Sequence, residues 1–102
     1  MKFAQMQMAI SHPFAEYTYR VWANDVDTGF YFPNLGINSD AMGLCWFIDR
    51  GINIIWHGGT VDTFETFAGF DKDEDMAVVV LSNIRSRIPS WVIGLQIFKE
   101  LR

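Results

Sequence analysis

The chain has 102 residues, half of them apolar with nine Phe and four Trp, and only 20% are charged. That composition fits one globular domain over 1–102 and excludes a disordered linker. A formal charge of -4 and a pI near 4.9 exclude the basic footprint by which proteins hold nucleic acid or anionic lipid, so no nucleic acid partner is expected.

Residues Met1–Ile10 place Phe3, Met6 and Ile10 at helical spacing and read as a short amphipathic helix. Residues 11–42 keep no period, because Pro13, Gly29, Pro33 and Gly36 interrupt every apolar piece; they read as an irregular connection with at most one short strand. Residues 43–82 are regular. The runs Gly43–Ile48 and Ile52–Trp56 flank Asp49-Arg50-Gly51, a hairpin signal in which Gly51 is free to take positive φ. Thr63–Phe70 puts Phe64, Thr66, Ala68 and Phe70 on one face and Glu65, Phe67 and Gly69 on the other. The charged turn Asp71–Asp75 leads into Met76–Leu81, whose unbroken apolar run reads as a central strand covered on both faces. Residues 90–101 form a second helix, with Ser90 as cap and Trp91, Leu95, Phe98 and Leu101 near one stripe. The expected class is α+β: an antiparallel meander covered by N- and C-terminal helices.

The single cysteine, Cys45, excludes an internal disulfide and any CxxC site, and its neighbours Leu44, Trp46 and Phe47 make it read as a packed, inert thiol. No stretch approaches the roughly 18 apolar residues that cross a bilayer, so no membrane segment is expected and the chain reads as soluble. Asp71–Asp75 resembles a calcium loop only superficially, since Met76 stands at the place reserved for Gly and Ser82 at the place reserved for Glu. It reads as a solvated turn, and neither a metal nor a cofactor is expected. Ser11-His12 with Asp25 or Asp27 has no spatial link in the sequence and reads as a helix-exit loop.

The stretch with chemical content is His57-Gly58-Gly59-Thr60, at the end of an apolar strand. Paired glycines at a strand end let a ligand or another backbone approach, because no Cβ intervenes. A histidine beside them is placed to assist proton transfer near neutral pH. Taken alone, the same string is also an ordinary glycine turn with a surface histidine.

Its surroundings carry a resemblance. Gly43-Leu44-Cys45-Trp46, then Trp56-His57-Gly58-Gly59-Thr60, then Gly69-Phe70-Asp71, then Val78-Val79-Val80-Leu81-Ser82-Asn83 occur in one order. Together they resemble the C-terminal part of class C β-lactamase-like and penicillin-binding-protein-like serine hydrolases, a partial β-lactamase/transpeptidase-like fold. That resemblance implies a hydrolase acting on a β-lactam, a D-amino-acid peptide or an ester, with a periplasmic or extracytoplasmic location. It maps the family's third motif onto His57, Gly58 and Gly59, and the oxyanion-hole N–H onto Thr60. Asp62-Thr63 depart from the small residues the family often carries there, which leaves the substrate open.

The family's other motifs are missing. None of the serines is followed three residues later by Lys, and no Tyr-x-Asn occurs, so the catalytic set is incomplete and this chain alone is expected to be inactive. The alternative is a non-catalytic binding or scaffold module derived from the same fold. A meander cut from a larger sheet leaves an edge unpaired, so a homo-oligomer, joined through the sheet edge or by a swapped helix, is expected.

Overall fold

The structure, a computed structural model, describes residues 17–84 and 87–101, so the helix expected over Met1–Ile10 lies outside the described residues. Two short antiparallel strands, β1 (Tyr31–Phe32) and β2 (Ile37–Asn38), flank a 3-10 turn at Pro33–Leu35. Five strands then form one antiparallel meander: β3 (Ala41–Met42), β4 (Phe47–Asp49), β5 (Ile54–Val61), β6 (Phe64–Asp71) and β7 (Met76–Ser82), in spatial order 3-4-5-6-7. Helix α1 (Ser90–Leu101) packs against β5, β6 and β7. The α+β class is therefore correct at the level of an antiparallel sheet with a C-terminal helix. No helix among the described residues is long and apolar enough to cross a membrane.

Strand alternation divides the apolar side chains between two cores. Trp56 and Phe67 point toward α1 and pack with Ile37, Ile54, Leu95 and Phe98, all at most 1% exposed. On the other face Ile55 and Phe70 pack with Ala41, Trp46 and Ile48, and Tyr19 closes that cluster. The two faces expected for Thr63–Phe70 are thus observed, each with its own buried aromatic. Leu95 and Phe98 form the helix stripe as expected, whereas Leu101 is exposed.

Several expectations need correction. Residues 17–42 are more than a connection, because Ile37 and Ala41 are completely buried and β3 is part of the main sheet. The strand expected from Gly43 begins only at Phe47 and is three residues long: Gly43–Trp46 is a turn with Cys45 at φ 65°, closed by the Gly43 N–H on the Trp46 carbonyl at 3.0 Å. That turn leaves Cys45 exposed, not packed. In the β4–β5 turn the left-handed residue is Asn53, at φ 58°, and not Gly51. Among the described residues β7 is an edge strand rather than a central one, and Val79 and Leu81 are 43% and 75% exposed. Met76, Val78 and Val80 pack on the core under α1 and Ala77 on the core of the other face, while Val79 and Leu81 on that second face stay exposed.

Two buried aspartates organise the turns at one end of the sheet. Asp49 accepts the Asn38 N–H on Oδ2 at 2.8 Å, and the Gly51 and Ile52 N–H groups on Oδ1 at 3.0 and 3.2 Å. Asp71, the first residue of the supposedly solvated turn, is 1% exposed and accepts the Asp73 and Glu74 N–H groups. Asn53 ties the turns together by donating to Asp71 and to Asp73, the latter at 2.6 Å. Each carboxylate takes up backbone donors that a tight turn would otherwise leave unpaired.

Candidate functional site

Strand β5 is longer than its neighbour β4, and this difference creates the site. β4 pairs with β5 only at Ile54, Ile55 and Trp56, while β6 pairs with it from Ile55 to Val61. The two-residue turn Asp62-Thr63 makes Val61 and Phe64 a doubly hydrogen-bonded pair, since no other ladder geometry closes so short a loop. Alternation then commits the main chain of Gly59 and His57 to β6. The N–H and C=O of Trp56, Gly58 and Thr60 point the opposite way. Trp56 meets Phe47 there, but no described strand lies opposite Gly58 and Thr60. Their main-chain groups form an open edge.

A cleft of about 190 Å³ lies beside that edge, between β5 and the first turn of α1. Four rings, those of Phe30, Phe47, Trp56 and Trp91, line it together with the Gly58–Thr60 strand and the polar residues Thr66 and Ser90. The rings are fixed by mutual packing: Phe30 meets Phe47, Trp56 and Trp91 edge to face at 4.8, 5.0 and 4.9 Å, and Trp56 stacks on Trp91 at 5.7 Å. Trp56 is anchored further by its indole N–H, which donates to the buried Ser39 hydroxyl at 3.0 Å. A Cβ at Gly58 would lie 3.1 Å from the Thr66 carbonyl oxygen, 3.7 Å from Trp56 Cζ3 and 3.9 Å from Trp91 Cβ, so glycine here lets the strand sit close under the two indoles.

His57 is exposed, and its ring stacks on Phe47 at 5.1 Å with a 16° interplanar angle. The imidazole thus lies where the β4 side of β5 becomes free. At the far end, Thr60 is opposite Glu65, whose Oε2 accepts the Ser90 N–H at 3.1 Å. A carboxylate at the helix N-terminus satisfies an orphan donor and opposes the helix dipole favourably. Glu65 is therefore the acceptor at this helix start, the role expected of Ser90.

His57, Gly58, Gly59 and Thr60 come together because they are consecutive on one strand. The described serines do not join them as nucleophiles. Ser39 holds the Trp56 indole, Ser82 bonds to Ile84, and Ser90 is engaged by Glu65. Sequence reasoning missed the aromatic wall. Trp91 was assigned to the helix stripe, and Phe30 sat in a stretch without any periodic signal.

No family model matches the chain. Over 56 residues it is 30% identical to "Protein flp" of Staphylococcus aureus, with the same figures for strains NCTC 8325 / PS 47, COL and N315. The match takes in 54% of this chain and spans only 11% of the length of each of those proteins.

Proposed function

We propose that this chain is the C-terminal portion of a β-lactamase or D-alanyl-D-alanine carboxypeptidase-like serine hydrolase, and that β5 forms one wall of its acyl-transfer cleft. The observation that carries the reading is the β5 edge at Gly58 and Thr60, opposite which no described strand lies beyond Trp56, next to the cleft lined by Phe30, Trp56 and Trp91. An extended substrate lying along that edge gains main-chain hydrogen bonds in the manner of an added strand. The Thr60 N–H is then available to a carbonyl oxygen that becomes negative as it is attacked, and the Gly58 carbonyl to a substrate N–H. His57 stands at the entrance, within the same edge. The attacking serine and its base come from outside these residues, because no serine in the chain has the spacing for that role.

The test is a titration of the isotope-labelled chain with N-acetyl-D-Ala-D-Ala, followed by amide NMR. The expected result is a set of shifts centred on Gly58, Gly59 and Thr60, with no covalent label on any serine after exposure to a fluorescent penicillin. Shifts absent from those amides at millimolar peptide, or equal in size along β7, overturn the reading. A reading frame ahead of Met1 that encodes Ser-x-x-Lys and then Tyr-x-Asn separates the hydrolase from the non-catalytic scaffold.

A further inference from the structure

We propose that the face of the sheet opposite α1 binds a small organic carboxylate with an apolar body, in a pocket of about 300 Å³ between Tyr19, Arg50 and Lys72. The pocket shares no residue with the aromatic cleft and does not rest on the hydrolase reading.

Charge is concentrated there by the fold. Three of the five Lys and Arg side chains among the described residues line this one pocket, in a chain whose formal charge is -4. They come from separate parts of the chain: Arg20 precedes β1, Arg50 is in the β4–β5 turn and Lys72 in the β6–β7 turn. No Asp or Glu among the described residues lines it. Its floor is apolar, made by Ile48 and Ile55, and its wall is the Tyr19 ring, fixed edge to face on Phe70 at 5.8 Å. Lys72 Nζ stands 5.8 Å from the centre of the Tyr19 ring, so a cation and an aromatic face meet at the rim.

The donors at the rim already hold a carboxylate. The Asn53 amide donates to Asp73 Oδ2 at 2.6 Å, and Lys72 Nζ lies 3.5 Å from Oδ1 of the same side chain. Arg50 in turn reaches Asp40 at 3.4 Å and Asp25 at 3.8 Å. Arg50 and Lys72 are 48% and 40% exposed, and ion pairs at such exposure contribute little, so they yield to a ligand that adds contacts of its own. A carboxylate on an apolar body supplies two: charge-assisted bonds to the rim, for which a guanidinium offers two parallel N–H groups, and burial of the body over Ile48 and Ile55. An enclosed apolar cavity of about 150 Å³ holds benzene, so this open pocket has room for a ring and its carboxylate together.

The experiment titrates the unmodified chain with benzoate, benzamide and acetate at low salt, followed by amide NMR. Benzoate is expected to shift the Tyr19, Arg20, Ile55 and Lys72 amides saturably. Benzamide, which lacks the charge, and acetate, which lacks the ring, should each bind about tenfold more weakly. Arg50→Gln and Lys72→Gln should each weaken benzoate several-fold, whereas Lys99→Gln, whose ammonium bonds to the Leu35 carbonyl, should leave it unchanged. Equal affinity for benzoate and benzamide overturns the anion, and equal affinity for benzoate and acetate overturns the apolar body. Benzoate shifts as large around Arg87 and Lys99 as around Lys72 would show general attraction to cations and overturn the site. The three-ligand comparison on the unmodified chain is decisive without the variants if any of them does not fold.

Discussion

Gly94 in α1 lies directly over the Phe67 ring in β6: a Cβ at Gly94 would stand 2.2 Å from Phe67 Cδ1. The ring has little room to retreat, because it stacks on Trp56 at 5.6 Å and its far edge already occupies the space left by the missing Cβ of Gly69. Helix propensity alone would favour Ala at this position by about 1 kcal/mol. Overpacking in a filled core costs about 1–3 kcal/mol, and a clash this close lies at the upper end. Gly94→Ala is therefore expected to lower the urea midpoint. An unchanged or raised midpoint would show that α1 can lift away from the sheet freely.

Glu65 and Ser90 offer a second test. Glu65→Ala removes the acceptor of a buried helix-start N–H and is expected to cost about 1–2 kcal/mol. Glu65→Gln keeps a carbonyl oxygen in place and should recover a good part of that loss. Chemical denaturation of the two variants beside the parent chain measures the difference. Equal stability of all three would mean that the 3.1 Å contact contributes nothing.

Burial raises the Asp49 pKa above its ordinary value; the Asn38, Ile52 and Gly51 N–H groups pull it back, and the charge of Asp40 raises it again. A raised folded pKa means that the folded state holds this proton more tightly than the unfolded chain does. Its contribution is fully present below the unfolded value of 3.8 and is lost as pH rises through the folded value. The stability of the parent chain relative to Asp49→Asn should therefore fall as pH is raised from below 3.8, then level off. Urea melts of both proteins across that range check the sign. A relative stability that grows with pH would contradict it.

Self-association through β7 is the expected outcome in solution. Val79 and Leu81 on the edge strand share a face with Val61 and Phe64 at the β5–β6 turn, and all four are exposed, Leu81 to 75%. An apolar edge of this kind is a template for pairing. Sedimentation equilibrium at micromolar concentration should show a dimer or higher species, weakened in Leu81→Lys. A stable monomer with a cooperative melt would sink the expectation.

Much of the meander was readable because its signals are local. Alternation in Thr63–Phe70, the apolar run after Asp75 and the helical stripe of Leu95 and Phe98 each act within one element, and the order of elements follows from short connections. Consecutive residues on one strand stay together in any fold, which is why His57 to Thr60 could be singled out without coordinates. Tertiary structure alone decided the rest. Whether an apolar strand lies at the centre or the edge depends on which strands find partners, and β7 has one neighbour among the described residues. Asp49 and Glu65 gained distant donors only because the fold brought the Asn38 N–H and the helix start at Ser90 to them, whereas Asp71 accepts N–H groups of its own turn. The open edge at Gly58 and Thr60 likewise exists because β4 stops pairing at Trp56, and the aromatic cleft beside it because Phe30 and Trp91, far apart in the chain, pack on one tryptophan.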